Sequence, residues 1–485
     1  MSAVPNSLPA TSPKRVLTVA PMPPEKMAYA LARYSRSPDS IRDSVAWVRT
    51  HDSTKFLESF YFQYGHASIA DLGHLAVCFE GVSELAATEI EDEQLWDGQA
   101  RSSRYQDFSK SAVVVPPELD QNGREIYTRA AQHLLETYRV IHQKATATLM
   151  DKLPRPAEMK PEAYARNIAA RAFDVARYLL PFGIPTGVGQ VTSIRTLERQ
   201  VKRFKASPFA ELREIANELA AACAAPADCL WDEALSTEPV APTLARYADA
   251  DEYPVKMHAR LADWAQQNVP QYEEAGRGAV DLLQPGDVHG DMCATLLFPV
   301  TRRSYRSLYE LVSSWPASRR QELLEIALQD RARGDELPRE FRSAPFVFDI
   351  IMDIGAYRDL HRHRRCQQFR QQYSFDLGFE TPSMVEECGA ESQFVSAMQS
   401  AAHAIKSLPA PASQYLLPFG ARSRFLFKMD FAELEYISRL RSGVKGHFSY
   451  RKIAWEMKQA LERLDPLLGQ LVRATPPSTE DPLRR

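Results

Sequence analysis

The chain has 485 residues, 45% of them hydrophobic and 25% charged, with a formal net charge of −3. That length exceeds one ordinary core and calls for two or three domains. The balanced charge excludes a general nucleic-acid binder, whose phosphate contacts leave a basic imprint.

No window is apolar enough to span a membrane. The six cysteines (Cys78, Cys223, Cys229, Cys293, Cys366 and Cys388) form no CxxC pair and no zinc-like spacing. A cytoplasmic protein with reduced thiols is expected. Residues 1–24, with Ser, Pro and only a short apolar patch from Val16 to Ala20, lack a signal-peptide core and read as a flexible arm. From Met27 to Tyr64, residues such as Leu31, Tyr34, Ile41, Val45 and Val48 recur at helical spacing. After Gly65, Leu72–Phe79 predicts a buried strand, Ser83–Glu93 a helix and Asp97-Gly98 a turn. A polar loop, Gln99–Lys110, follows. Asn122–Lys152 and Pro161–Leu180 read as long helices, and Thr196–Cys223 as another broken near Pro208. Ser236–Tyr253, rich in Pro, Ala and acid, lacks periodicity and reads as a linker. Beyond it the pattern is helical from about Tyr305 to Arg333, and Pro345–Ile351 predicts a strand.

That strand leads into the most basic stretch of the chain, Arg358-Asp359-Leu360-His361-Arg362-His363-Arg364-Arg365, with Gln367, Gln368, Gln371 and Gln372 behind it. Arg358, Arg362 and Arg365 can share one helical face, which His363 and Arg364 cannot join. Cations aimed in several directions suit a pocket for an anion. A solvated basic helix end is the plain alternative.

A repeat organises the whole chain. Tyr178-Leu179-Leu180-Pro181-Phe182-Gly183 reappears letter for letter as Tyr415-Leu416-Leu417-Pro418-Phe419-Gly420, an offset of 415 − 178 = 237 residues. Phe209–Ala216 is echoed by Phe448–Ala454 at nearly the same spacing. Two such matches predict two copies of one domain fused head to tail, rather than two unrelated helical domains. The expected division is an arm (1–24), a first copy (25–235), a linker (236–254), a second copy (255–475) and a tail (476–485). Such a pair places its binding clefts at the shared interface.

The polar segments differ between the copies. The first carries Gly65-His66-Ala67-Ser68, Ser102-Ser103-Arg104-Tyr105 and Ser193-Ile194-Arg195; the second carries Arg362-His363-Arg364. Arg-His-Arg followed by a Gln/Ser-rich run ending in Ser-x-Arg-Tyr resembles the signature of flavin-dependent thymidylate synthases. Ala32-Arg33-Tyr34-Ser35, Gly81-Val82-Ser83 and Ser193–Leu197 resemble other segments of that family. Each copy keeps a different part. Counted back from Arg104-Tyr105, Arg-His-Arg falls on Asp92-Glu93-Gln94; counted forward from Arg362, Ser-x-Arg-Tyr falls on Gln372-Tyr373-Ser374-Phe375. Asp92 and Glu93 are expected to repel an anionic ligand and to mark a version of the site released from use.

The resemblance implies an α+β fold, each copy helix-rich around a small, mostly antiparallel sheet. It implies FAD as cofactor and reductive methylation of dUMP to dTMP, with methylenetetrahydrofolate and NADPH as partners. Arg362 and Arg104 would be catalytic. Arg362, His363, Arg364, His66 and Ser68 would hold the cofactor, and Ser102, Arg104, Tyr105 and Arg195 the nucleotide. No metal is implied. Because the family assembles as a homotetramer, a fused pair is expected to form a homodimer, with one flavin per chain. A degenerate flavin- or nucleotide-binding scaffold is the alternative, as is a related flavoenzyme acting on another pyrimidine nucleotide. His66 has a simpler reading as a cap of a helix beginning near Ser68, and Arg451 as a surface helix residue.

Overall fold

The computed structural model describes residues 22–34, 41–58, 67–104, 106–227, 239–246, 248–270, 278–283, 287–330, 340, 346–429 and 431–464, and in the tail 466, 469, 472–481 and 483. Most of the predicted arm, His66 and Tyr105 therefore lie outside the described residues, as does the side chain of Ser68.

The fold is α+β, with helices outnumbering two small antiparallel sheets. The first sheet contains β1 (His74–Ser83), β2 (Trp96–Ala100) and β3 (Pro185–Ser193), in the order β1-β3-β2. The second contains β4 (Val280–Leu283), β5 (Phe346–Asp353), β6 (Gln367–Arg370) and β7 (Arg422–Met429), in the order β4-β5-β7-β6. Gly98 faces Gln190 in the first sheet as Gln368 faces Phe427 in the second. The offsets are 368 − 98 = 270 and 427 − 190 = 237, the latter being the spacing of the repeated hexapeptide. One three-stranded unit thus occurs twice, and in the second copy β4 extends it at the β5 edge.

In each copy the first strand of this unit runs directly into a helix whose cap is a short polar side chain. Ser83 Oγ accepts from the Ala86 amide at 2.9 Å ahead of helix Glu84–Glu91. Asp353 Oδ1 accepts from the Ala356 amide at 2.7 Å ahead of helix Ile354–Leu360. Each cap satisfies a first-turn donor that would otherwise be orphaned.

The repeated hexapeptide pairs with itself. Phe182 N donates to Leu417 O at 2.9 Å and Gly183 N to Tyr415 O at 2.7 Å; reciprocally, Phe419 N donates to Leu180 O at 2.9 Å and Gly420 N to Tyr178 O at 2.9 Å. This is the self-complementary pairing of a twofold interface, realised within one chain. It also explains the identity of the two segments, since each must satisfy the other. A Cβ on Gly183 would lie 2.0 Å from the Tyr127 hydroxyl, and one on Gly420 2.6 Å from Tyr178 Cδ1, so neither position accepts a larger residue without movement.

The copies do not close separate cores. Leu180, Phe182, Leu417 and Phe419 belong to a single apolar cluster that also takes in Phe79 and Val188 of the first sheet and Phe348 and Phe425 of the second. A second cluster, built on Tyr253, Met257, Leu261, Trp264 and Leu308, packs on the far face of the second sheet through Val347, Phe369 and Leu426.

Several expectations are corrected. Asp97-Gly98 is strand rather than turn, because Gly98 in β2 comes so close to β3 that a Cβ would lie 2.0 Å from Gly189 O. The described part of the 236–254 segment is packed instead of forming a spacer. Val240 and Ala241 are buried, the Thr243 amide donates to Glu25 Oε1 at 2.8 Å, and a helix already runs from Glu252 to Asn268. Arg451 is buried, not a surface residue. Its Nε donates to Ser442 O at 3.0 Å and its Nη2 to Thr479 O at 2.7 Å, holding the tail against the second copy. The break at Pro208 is observed, between helices Ile194–Lys205 and Ala210–Ala224.

Candidate functional site

Helix Ile354–Leu360 is only seven residues long, and the chain turns at His361. This short run places Arg358, Asp359 and Arg362 opposite the loop that leaves β2, with Ser102, Ser103 and Arg104, and opposite Arg177 just ahead of the first hexapeptide. The cleft is composite: one wall comes from each copy.

Arg358 bridges the walls. Its Nη1 donates to Ser103 Oγ at 3.1 Å, its Nη2 lies 2.6 Å from Glu84 Oε2, and its guanidinium sits over the Phe419 ring at 4.8 Å. Arg177, 1% exposed, donates from both Nη1 and Nη2 to Asp359 Oδ2 at 3.2 Å and from Nη2 to Gly355 O at 3.1 Å. Burial pushes the Asp359 carboxyl up, but Arg177, Arg104, Arg358 and Arg362 together hold it below its ordinary value. Arg362 makes no hydrogen bond or ion pair with a described residue, and its buried Nε, like that of Arg177, has no partner. The chemistry of these two guanidinium groups suits an anionic or carbonyl partner.

Arg104 is differently placed. Its Nε and Nη2 grip Asp174 in a fork at 2.7 and 3.1 Å, Nη1 donates to the Tyr450 hydroxyl at 3.1 Å, and Nη2 also donates to Lys445 O at 3.2 Å. Its guanidinium braces the cleft wall, while Ser102 Oγ accepts from the Arg104 amide at 3.2 Å.

The rest of the basic stretch turns away from this cleft. His363 is buried beside helix Phe431–Arg441. Its Nε2 accepts from Arg441 Nε at 2.7 Å, and its Nδ1 lies 3.5 Å from Glu433 Oε1. Burial lowers its pKa despite Glu433, in keeping with a neutral ring whose Nε2 is an acceptor. Arg364 Nη2 reaches Asp97 Oδ1 at 2.6 Å over the Trp96 ring. Arg195 pairs with Asp71 at 3.0 Å and does not line the cleft. The structure thus unites Ser102, Arg104 and Arg362, but leaves His363, Arg364 and Arg195 outside their company.

Asp92 and Glu93, expected to repel an anionic ligand, are engaged by cations of the chain itself. Asp92 Oδ2 accepts from Arg370 Nη1 at 3.1 Å, and Glu93 Oε1 from Arg203 Nη2 at 2.8 Å. Beside them Glu91 is buried, and burial pushes its carboxyl up to about 7 against the pull of Arg362 and Arg358. Arg177, Asp359, Asp174 and Glu91 were not singled out from the sequence. Arg177 had a usable signal, since it stands immediately before the repeated hexapeptide.

Fold and cleft together define a helix-rich α+β protein, internally duplicated, with a composite, arginine-lined cleft between its copies. The chain belongs to the thymidylate synthase complementing protein family, whose family model matches residues 17–227 and 299–467, one segment in each copy. It is 26% identical to a UPF0159 protein of Chlamydia muridarum over 416 residues, covering 83% of this chain and 77% of that protein. With a UPF0159 protein of Thermoplasma acidophilum it shares 22% identity over 485 residues, 91% of this chain and 94% of the relative. Among solved structures, thymidylate synthase X from Helicobacter pylori with FAD and dUMP is similar over 41% of this chain and 88% of its own, at 16% identity and a TM-score of 0.28. A second structure of that flavin-dependent enzyme with the same ligands covers 45% and 95%, at 15% identity and a TM-score of 0.28.

Proposed function

We propose that this chain is a flavin-dependent thymidylate synthase-like enzyme, converting dUMP to dTMP with FAD, NADPH and methylenetetrahydrofolate. The observation that carries the reading is the meeting of Ser102 and Arg104 from the first copy with Arg362 from the second. The two surviving parts of the signature, 362 − 104 = 258 residues apart, share one cleft. Family membership supplies the chemistry that such a cleft would serve.

The residues present fit the cofactor. Arg362 and Arg177 offer buried Nε donors to a phosphate or to the carbonyls of a flavin ring, and Ser102 offers a hydroxyl. Bound FAD would supply hydride chemistry. Around it, Arg362 binds and orients by charge-assisted hydrogen bonds, and Arg177 and Asp359 hold one wall in register. Arg104, clamped by Asp174, fixes the Ser102 loop against the second copy. Arg358 ties that loop, through Ser103, to the helix that presents Arg362. A homodimer would give two such clefts.

A non-catalytic scaffold has one observation in its favour, the commitment of the Arg104 guanidinium to Asp174, Tyr450 and Lys445 O. One experiment separates the readings. Purified protein is titrated with FAD, bound flavin is counted by absorbance against chain concentration, and NADPH oxidation is followed with dUMP and methylenetetrahydrofolate. The enzyme reading expects one flavin per chain and dUMP-dependent oxidation. A chain that takes up no FAD returns the site to the scaffold. Flavin uptake with turnover only on another nucleotide changes the substrate and leaves the reaction class intact. Mass in solution tests the dimer.

A further inference from the structure

The pseudo-twofold relation gives every wall of the open cleft a counterpart. Subtracting 270 from Arg358, Asp359 and Arg362 leads to Thr88, Glu89 and Asp92, and the cap residues Asp353 and Ser83 obey the same offset. At this twin position Arg358 is replaced by the neutral Thr88, Asp359 stays acidic as Glu89, and Arg362, unpartnered among the described residues, is replaced by the acid Asp92. The twin is also filled. Arg370, the counterpart of Ala100, extends from β6 between the two acids. Its Nη1 donates to Asp92 Oδ2 at 3.1 Å, its Nη2 bonds Glu89 Oε1, and its guanidinium lies 5.9 Å from the Tyr373 ring centroid. The three charged side chains are 16%, 13% and 11% exposed, so this is an interior site. Arg203 closes the other side through Glu93 at 2.8 Å and Glu89 at 3.4 Å.

We infer that the twin cleft is a guanidinium-binding site occupied by the chain's own Arg370, so that one of two symmetry-related clefts accepts ligand and the other tethers the copies together. The physical reason is that a cleft between two acids needs a cation. Without Arg370 two buried carboxylates lose the cation they share, with Arg203 remaining on Glu89 at 3.4 Å and His361 near Asp92 at 3.8 Å, whereas a planar fork satisfies both at once. An acid in place of Arg362, beside the acid kept at Glu89, therefore converts a redundant ligand site into an internal cross-link. The inference rests on the twofold relation and on the ion pairs, and does not depend on which ligand the open cleft takes.

The test uses the full chain with Arg370→Ala. Truncation empties the site while keeping its acids, so Tm should fall, and low-millimolar guanidinium chloride should restore part of the loss saturably, against sodium chloride at equal ionic strength. Wild type should show no such rise. Neither should Arg364→Ala, which removes a rim pair with the exposed Asp97. No saturable recovery in Arg370→Ala, or equal recovery in all three proteins, overturns the proposal. If Arg370→Ala does not fold, Arg370→Met combined with Glu89→Gln and Asp92→Asn decides the matter. Soluble, cooperatively melting protein then shows that the acids demanded the cation. An insoluble one shows that Arg370 serves packing alone, and the idea fails.

Discussion

At the scale of single residues, the decisive difference is between guanidinium groups that are hydrogen-bonded and Arg362, which among the described residues is not. Arg362 has no hydrogen-bond or ion-pair partner among the described residues, so Arg362→Ala should leave the fold intact. It should weaken FAD binding by about 1.5–3 kcal/mol, roughly ten- to a hundredfold or more, in a fluorescence titration. The exposed Arg365→Ala should be silent, and equal loss in both would sink the pocket assignment. Arg104 behaves oppositely. Arg104→Ala strands the buried Asp174, a loss of about 3–5 kcal/mol in urea unfolding, and adding Asp174→Ala should recover part of it. Strict additivity of the two changes would show that the fork contributes nothing. Glu91 supplies the pH dependence. Its folded-state pKa of about 7 lies above the ordinary 4.5, so the folded chain keeps a proton that the unfolded chain has lost between those values. Its burial therefore costs nothing below the window, and the penalty grows to its full size as pH rises through about 7. Glu91→Gln removes the titration. Its stability advantage over wild type should grow by up to about 3 kcal/mol between about pH 5 and about pH 8, and a flat difference would contradict the assignment.

At the scale of elements, the strand-to-helix junctions and the hexapeptide carry the arrangement. Ser83 and its counterpart Asp353 each cap a helix, and each is bound in turn by the copy's last helical region. Ser83 Oγ donates to Glu211 Oε2 at 2.7 Å, and Ser449 donates to Asp353, to which the Tyr178 hydroxyl also donates at 3.2 Å. Acid and hydroxyl have exchanged places between the copies while the contact survives. The hexapeptide is less tolerant. Gly183→Ala would push a methyl group into the Tyr127 hydroxyl, which is held by Val114 O at 2.8 Å. Overpacking of this kind costs typically 1–3 kcal/mol, read as a lowered urea midpoint with unchanged slope. Wild-type stability in this variant would mean that the close pairing of the two segments is not required.

For the whole molecule, duplication has produced one body with a shared core. Since Leu180, Phe182, Leu417 and Phe419 pack in one cluster, cutting the chain exposes apolar surface on both pieces. Residues 1–235 and 255–475 expressed separately should each lack a cooperative melting transition by calorimetry, and co-expression should give a stable pair. Cooperative melting of either half alone would show that the copies are autonomous domains. The arrangement also explains how the signature could be divided. A site made from both copies needs each of its parts only once, so Arg362 can serve with Ser102 and Arg104 while the reciprocal set changes charge.

The alternation of helices and strands, the break at Pro208 and the duplication were legible because each depends on local periodicity, on proline's missing donor, or on identity between two segments. So was the family, through motifs that keep their residue types. What the sequence could not supply was the meeting of distant charges. Nothing local distinguishes Arg104, clamped by Asp174, from Arg362, which has no hydrogen-bond partner among the described residues, or shows that Asp92 and Glu93 are met by Arg370 and Arg203. Gly98 read as a turn residue because glycine favours turns, whereas the neighbouring strand demanded it for lack of space. Residue type and spacing determined the elements and the chemistry available. Which guanidinium is free to act was decided only by tertiary structure, because an ion pair depends on separation in space and not along the chain.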